Sequence, residues 1–253
     1  MRTEEIQQQK EQLQHLKNSI VHVVADIIEK RDYETGGHND RIVEFVGILL
    51  KAMLDQGVYL EEIGDIDFDL FTSSARLHDV GKIVIPDSIL NKPGRLTDEE
   101  FAIMKTHALE GKLIIEQIIS RTRYKAASPD DELAPDEQYL SVSSSDNVTF
   151  LNYSRLFAGY HHERWDGKGY PYGLSGMAIP IHGRIMAFAD VYDALISERP
   201  YKKAFSHEDS VRIIMENAGT QFDPFIAKVF YSVKDQFESV RRGQETPVFS
   251  VSP

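Results

Sequence analysis

The residues best suited to chemistry in this 253-residue chain are histidines and carboxylates that fall close together. His78 and Asp79 are adjacent, as are His161 and His162. His107 stands mid-way along an amphipathic stretch, and Glu34 and His38 are four residues apart. Asp190, with Asp193 three residues on, interrupts the apolar run Ile185, Met186, Phe188, Ala189, Val191 and Tyr192. The chain has no cysteine. A metal centre built from these residues would therefore use nitrogen and oxygen donors, a set suited to iron, manganese, zinc or nickel rather than calcium. A lone histidine in a helix is more often a packing or surface residue. The adjacent pair carries more weight, because neighbouring helical residues point about 100° apart and cannot both serve one core stripe. A carboxylate at the inner end of an apolar helix is also costly to bury unless it is paired or metal-bound. Asp190 poses the same problem, with a buried salt bridge or a helix cap as its structural alternative.

The elements that must position these residues read as helices. Residues 38–55 carry Ile42, Val43, Phe45, Val46, Leu49, Leu50 and Met53 at helical spacing. Residues 68–79 form a further helix that ends in Leu77, His78 and Asp79. Thr97 and Glu100 have the form of a capping box, which opens a helix running through His107 to about Ile119. Residues 151–162, 183–197, 207–218 and 224–240 complete the set, with Ser206 and Asp223-Pro224 marking two starts. Only 81–86 hints at a strand, and a small hairpin there or near 172–181 remains open. The expected fold class is all-α.

Residues 1–30 read as one helix in which Ile6, Leu13, Ile20 and Ile27 recur every seven residues, with Leu16 and Val23 three after two of them. Two readings stand. One is a coiled-coil linker that pairs two chains or joins an upstream domain. The other is an amphipathic helix folded back on its own domain, since Val21, Val24 and Ile28 widen the apolar face. Residues 120–150 are rich in Ser, Asp and Pro without a clear period and read as a surface excursion. The tail 242–253 reads as loose. The domain itself is expected over 31–241.

The formal net charge of -12 argues against a whole-surface attraction to DNA or anionic lipid. No run approaches the roughly 18 apolar residues of a membrane span, and the polar start MRTEEIQQQK is unlike a signal peptide. A cytoplasmic location fits.

Two long motifs then resemble a known family. HDVGKIVIPDSILNKPGRLTDEEFAIMKTHALEG, from His78, and HHERWDGKGYPYGLSGMAIPIHGRIMAFADVYDALISERPYKK, from His161, are similar to the HD-GYP domain of the HD phosphohydrolase superfamily. The name-giving triplet is Gly169-Tyr170-Pro171. The likeness runs from about residue 20 to 235, broken by 120–150. It implies an HD-domain helical bundle that linearises cyclic di-GMP, to pGpG or GMP, in bacterial second-messenger signalling. Hydrolysis of cyclic GMP-AMP, or a catalytically weak module that reads the dinucleotide or a protein partner, are the alternatives.

By the same resemblance His78, Asp79, His107, His161, His162 and Asp190 are ligands of a two-metal core, with Asp79 bridging. Glu34 and His38 are the extra pair of members that hold three metals, iron or manganese by family precedent. Lys82, Arg199 and Lys202 are expected on substrate phosphates, and Tyr170 on the ligand. A diguanylate cyclase is a candidate partner for the signature loop. Phosphodiester hydrolysis suits such a centre, because water between two metal ions is acidified from about 15.7 toward ~7 and becomes a nucleophile at neutral pH. Asp79 and Lys82 are the residues expected closest to that chemistry. The departure from the family is length: the surplus between His107 and His161 matches residues 120–150, which read as an inserted loop serving as lid, partner contact or neutral decoration.

Overall fold

The structure is a computed structural model that describes residues 2–32, 37–126, 146–198 and 203–244. Among these residues ten α-helices are present and no strand. The helices are α1 (Arg2–Arg31), α2 (His38–Asp55), α3 (Leu60–Ile63), α4 (Phe68–Ser74) and α5 (Asp87–Leu90). Then come α6 (Asp98–Ala126), α7 (Asp146–Tyr160), α8 (Ile181–Ile196), α9 (His207–Glu216) and α10 (Pro224–Gln244). Short 3₁₀ turns occupy Ala75–Leu77, Val80–Val84 and Gly176–Ala178.

The core forms where α2, α8 and α10 bring their apolar stripes together. Phe45, Leu49, Met186, Phe188, Tyr192, Phe230 and Phe237 are all fully buried there. Phe45 stacks on Phe237 at 4.6 Å, with Tyr192 edge-on to both. A second, smaller cluster joins Leu77, Val80, Ile115, Ile119, Phe150 and Ala158, where α6 packs along α7. Ile28 of α1 belongs to this second cluster.

The capping box at Thr97 forms as expected. Glu100 N donates to Thr97 Oγ1, and Thr97 N donates to Glu100 Oε2 at 2.8 Å. Ser206 likewise caps α9 by accepting from Asp209 N.

Three expectations change. The helix read over 68–79 stops at Ser74 and tightens into a 3₁₀ turn, so His78 and Asp79 lie outside regular α-helix. Residues 81–86 are no strand: Val80–Val84 is a second 3₁₀ turn. The reason is packing against α6, since a side chain on Gly81 would collide with the His107 carbonyl oxygen and come within 2.5 Å of Gly111 N. Near 172–181 only the isolated bridge between Asp166 and Ser175 appears.

Helix α1 folds back on its own domain by one face, as the second of its two readings expects. Its last turns dock through Ala25, Ile28 and Glu29, while Leu16, Ile20, Val23 and Ile27 remain exposed on the opposite face. Arg31 secures the dock. Its guanidinium donates to the carbonyls of Lys82, Ile83 and Ile85 and to Asp87. Those carbonyls belong to the second 3₁₀ turn and its exit, so Arg31 satisfies acceptors that a regular helix would have paired internally.

Candidate metal centre

Five separate segments deliver the site. His38 is the first residue of α2, preceded by Gly37 at φ 85°, and α2 has no side-chain cap of its own at that position. Glu29 of α1 fills the role from a distance. It accepts from His38 N at 3.0 Å and from Asn39 Nδ2 at 2.8 Å, placing a carboxylate on a helix N-terminus. His78 and Asp79 sit between the two 3₁₀ turns. With Asp79 at φ -99°, ψ 11°, the local twist lets both neighbours face one centre, which a continuous α-helix would forbid. His107 comes from the middle of α6, His161 and His162 from just beyond α7, and Asp190 from the middle of α8.

The ring nitrogens gather in two groups. His107, His161 and His162 form one, and His38, His78 and Asp190 the other; within each, the donor atoms lie within 4.8 Å of one another, so each could hold a metal ion. Asp79 stands between them. Its Oδ1 is 3.4 Å from His107 Nε2 and 3.6 Å from His161 Nε2, while its Oδ2 is 3.2 Å from His78 Nε2.

Proton placement decides what these contacts mean. His78 Nδ1 donates to Ala75 O, His107 Nδ1 to Met104 O, and His161 Nδ1 to the carbonyls of Phe157 and Ala158. A carbonyl can only accept, so in the neutral rings Nε2 carries the lone pair. Yet His107 Nε2 and His161 Nε2 are only 3.3 Å apart, and His38 Nε2 and His78 Nε2 3.5 Å apart. His38 Nδ1 is held by Asp193 Oδ2 at 2.7 Å. Burial pushes His107 down to about 4, against the pull of Asp79, and drives His162 well below the usual imidazole range, aided by His161 and His107. Two close Nε2 pairs therefore lie beside one carboxylate, and Asp79 Oδ1 is buried with no hydrogen-bond partner. Such an arrangement is favourable when cations lie between the donors.

Asp79 is ready to be such a ligand. Burial alone would raise its pKa, but Lys82, His78 and His161 outweigh that and hold the carboxyl well below the usual carboxylate range. Lys82 Nζ lies 2.8 Å from Asp79 Oδ2.

Comparison with known proteins agrees with this geometry. The HD domain family matches residues 138–226, a stretch that contains His161, His162 and Asp190. A cyclic di-GMP phosphodiesterase of Vibrio cholerae is 42% identical over 217 residues, covering 86% of this chain and 39% of the relative. A cyclic di-GMP phosphodiesterase of Thermotoga maritima is 34% identical, covering 89% of this chain and 52% of that one. The chain belongs to the HD-GYP family. A 3'3'-cGAMP-specific phosphodiesterase of Vibrio cholerae is also similar, 32% identical over 90% of this chain and 37% of its own length. The chain thus spans about half or less of the length of these curated relatives.

The HD-GYP signature loop is built onto the histidine pair. Tyr170 stacks on the His162 ring at 4.6 Å and 29°, and lies edge-on to His107 at 6.3 Å. Gly169 is required for the close approach, since a Cβ there would come within 2.5 Å of Glu163 Cα. The Tyr170–Pro171 bond is cis. Glu163, buried beneath the loop, accepts from Tyr172 N at 2.7 Å and Leu174 N at 2.9 Å. Lys112 of α6 reaches the same loop, donating to Tyr172 Oη at 2.9 Å.

Glu34, Arg199 and Lys202 lie outside the described residues, as does residue range 127–145 of the expected inserted loop and 245–253 of the tail. Sequence reasoning overlooked Glu29 and Asp32, and noted Asp193 without giving it a role. Asp193 also accepts from Arg41, with Nη2 at 3.0 Å. Its spacing from Asp190 was a usable signal. Glu29 and Asp32 offered none, because the turn after α1 brings Glu29 onto α2 and Asp32's partner is 50 residues away.

Proposed function

We propose that this chain is a metal-dependent phosphodiesterase that opens cyclic di-GMP, giving pGpG or GMP. The observation that carries the reading is Asp79, set between two groups of candidate ligands, His107, His161 and His162 on one side and His38, His78 and Asp190 on the other, with Oδ1 buried without a hydrogen bond and Lys82 on Oδ2. His78, Asp79, His107, His161, His162 and Asp190 would hold two divalent ions, and Glu34 with His38 a third. Iron or manganese is the proposed metal, with zinc or nickel compatible with the same donors. Divalent ions bound there supply Lewis acidity toward phosphoryl oxygens and a lowered pKa for water.

The chain's own residues have the remaining tasks. Lys82 brings a positive charge, preorganised by two carboxylates, to the side of Asp79 where charge on a phosphoryl oxygen would build up. Arg199 and Lys202 are proposed phosphate contacts, Arg199 suited to bidentate binding. Tyr170 is proposed to touch the ligand while its ring braces His162. Helix α1 is the proposed link to a second copy or to an upstream regulatory domain, and the signature loop a candidate surface for a diguanylate cyclase. Among the described residues no helix is long and apolar enough to cross a membrane; a cytoplasmic site of action is proposed.

Relatives specific for 3'3'-cGAMP favour a second substrate reading, hydrolysis of cyclic GMP-AMP. One experiment addresses both. The chain is purified anaerobically, its metals are counted, and it is incubated with each cyclic dinucleotide in iron- and manganese-loaded form. Linear dinucleotide or mononucleotide from cyclic di-GMP supports the proposal, and exclusive cleavage of cyclic GMP-AMP selects the second reading. Binding without product from either would make the chain a reading module.

A further inference from the structure

The proposed centre accounts for the phosphate of a cyclic dinucleotide but leaves its purines without a described partner. One aromatic side chain beside the site stands half-exposed next to the signature loop. Phe101, in the first turns of α6, is 47% exposed. Its ring lies 6.4 Å from that of Tyr170, at 83°. Tyr170 is in turn edge-on to His107 and stacked on His162. Tyr170 thus joins Phe101 to the metal-facing imidazoles through direct ring contacts. One turn along α6, the Lys105 ammonium lies over one face of the Phe101 ring, 5.3 Å from its centre, which leaves the other face for a stacked base.

We infer that Phe101 is a stacking platform for one purine of the substrate, with Lys105 supplying a cation beside it. This inference rests on the cyclic-dinucleotide reading above. The physical argument is directional. A phosphate seated at the histidine groups carries its nucleosides laterally along the surface, and Phe101 is an exposed aromatic face in ring contact with Tyr170. A purine covers the ring, and the edge-on Tyr170 keeps the ring from rotating away. Stacking accepts either purine, since each presents a π-face. Discrimination between guanine and adenine would then fall to donors at the base edge. Lys105 is suited to the N7 and O6 acceptors of guanine.

A structural alternative exists and is testable. Phe101 is the fourth residue after the Thr97 cap, with Leu96 just before it, which is the spacing of a hydrophobic staple. A staple needs any large apolar side chain, whereas a platform needs an aromatic one. The metal-loaded 253-residue chain and its Phe101→Ala, Phe101→Leu and Phe101→Trp variants are therefore compared for cyclic di-GMP dissociation constant, KM and kcat.

The expected result is a rise of about tenfold in Kd and KM for both Ala and Leu, consistent with the loss of one base–aromatic stack. The kcat value should change far less, and Trp should restore affinity. Leu matching the unmodified chain, or Ala binding with unchanged affinity, would overturn the platform. If the unmodified chain binds cyclic di-GMP without cleaving it, the catalytic reading fails and the Kd series alone decides the platform. If it does not bind cyclic di-GMP at all, the platform falls with it.

Discussion

Lys82 Nζ lies 2.7 Å from Asp32 Oδ2 and so ties the end of the N-terminal helix to the metal-facing carboxylate of Asp79, its other partner at 2.8 Å. Asp32 follows α1 directly, and Arg31 before it clamps the turn that carries Lys82. The position of α1 is thereby read out at the proposed reaction centre.

Asp32→Asn should loosen Lys82 without removing any metal-facing group. A charge-assisted hydrogen bond of this kind contributes about 1.5–3 kcal/mol, so kcat is expected to fall about tenfold at an unchanged metal count. Parallel metal analysis and steady-state kinetics check this. An unchanged kcat would mean that Asp79 alone sets the lysine's position.

Asp79→Ala removes the carboxylate between the two groups. Metal and turnover should both be lost, with the helical circular dichroism retained, because Asp79 sits at a turn rather than in the packed core. Turnover above a few per cent would exclude Asp79 from the centre. Glu34→Ala should lower the metal count by about one ion; an unchanged count would point to two ions only.

His182 is buried among Phe71, Tyr153 and Phe157 with neither ring nitrogen hydrogen-bonded. Burial, then Arg155 and Arg184, push its pKa from 6.5 down to about 3. The folded chain therefore stays unprotonated where the unfolded chain takes up a proton. Its contribution to stability is present above pH 6.5 and is lost as pH falls from there toward about 3, at about 1.4 kcal/mol per unit. His182→Phe should remove that dependence. Urea titrations at pH 7 and pH 5 should show a loss smaller by about 2 kcal/mol in the variant. Equal losses in both proteins would refute it.

The exposed residues Leu16, Ile20, Val23 and Ile27 are spaced four, three and four apart, the a/d seam of a coiled coil, on the face of α1 that its own domain leaves uncovered. If that seam pairs two copies, Ile20→Glu with Val23→Glu should halve the mass measured by light scattering. The docked face, with Ala25 and Ile28, is untouched by these changes. A monomeric unmodified chain would reject the pairing.

Much of the candidate site was legible in the sequence, as residue-type anomalies and, for the full ligand set, through the resemblance to the HD-GYP family. His78-Asp79, His161-His162 and the misplaced carboxylate of Asp190 are local anomalies, positions where a purely structural pattern would have put something apolar. The all-α class and the caps at Thr97 and Ser206 follow from local periodicity and hydrogen-bonding chemistry, which act over a few residues. Tertiary structure decided the rest. Gly81, in the second 3₁₀ turn, packs its backbone directly against α6, a close approach to His107 and Gly111 that local sequence does not announce. Glu29 capping α2 depends on how the chain turns after α1, and Asp32 holding Lys82 and Phe101 standing beside Tyr170 depend on distant elements meeting. Such contacts leave no periodic trace in the chain. Burial and electrostatics act on whatever the fold brings within a few ångströms, whatever the separation in sequence.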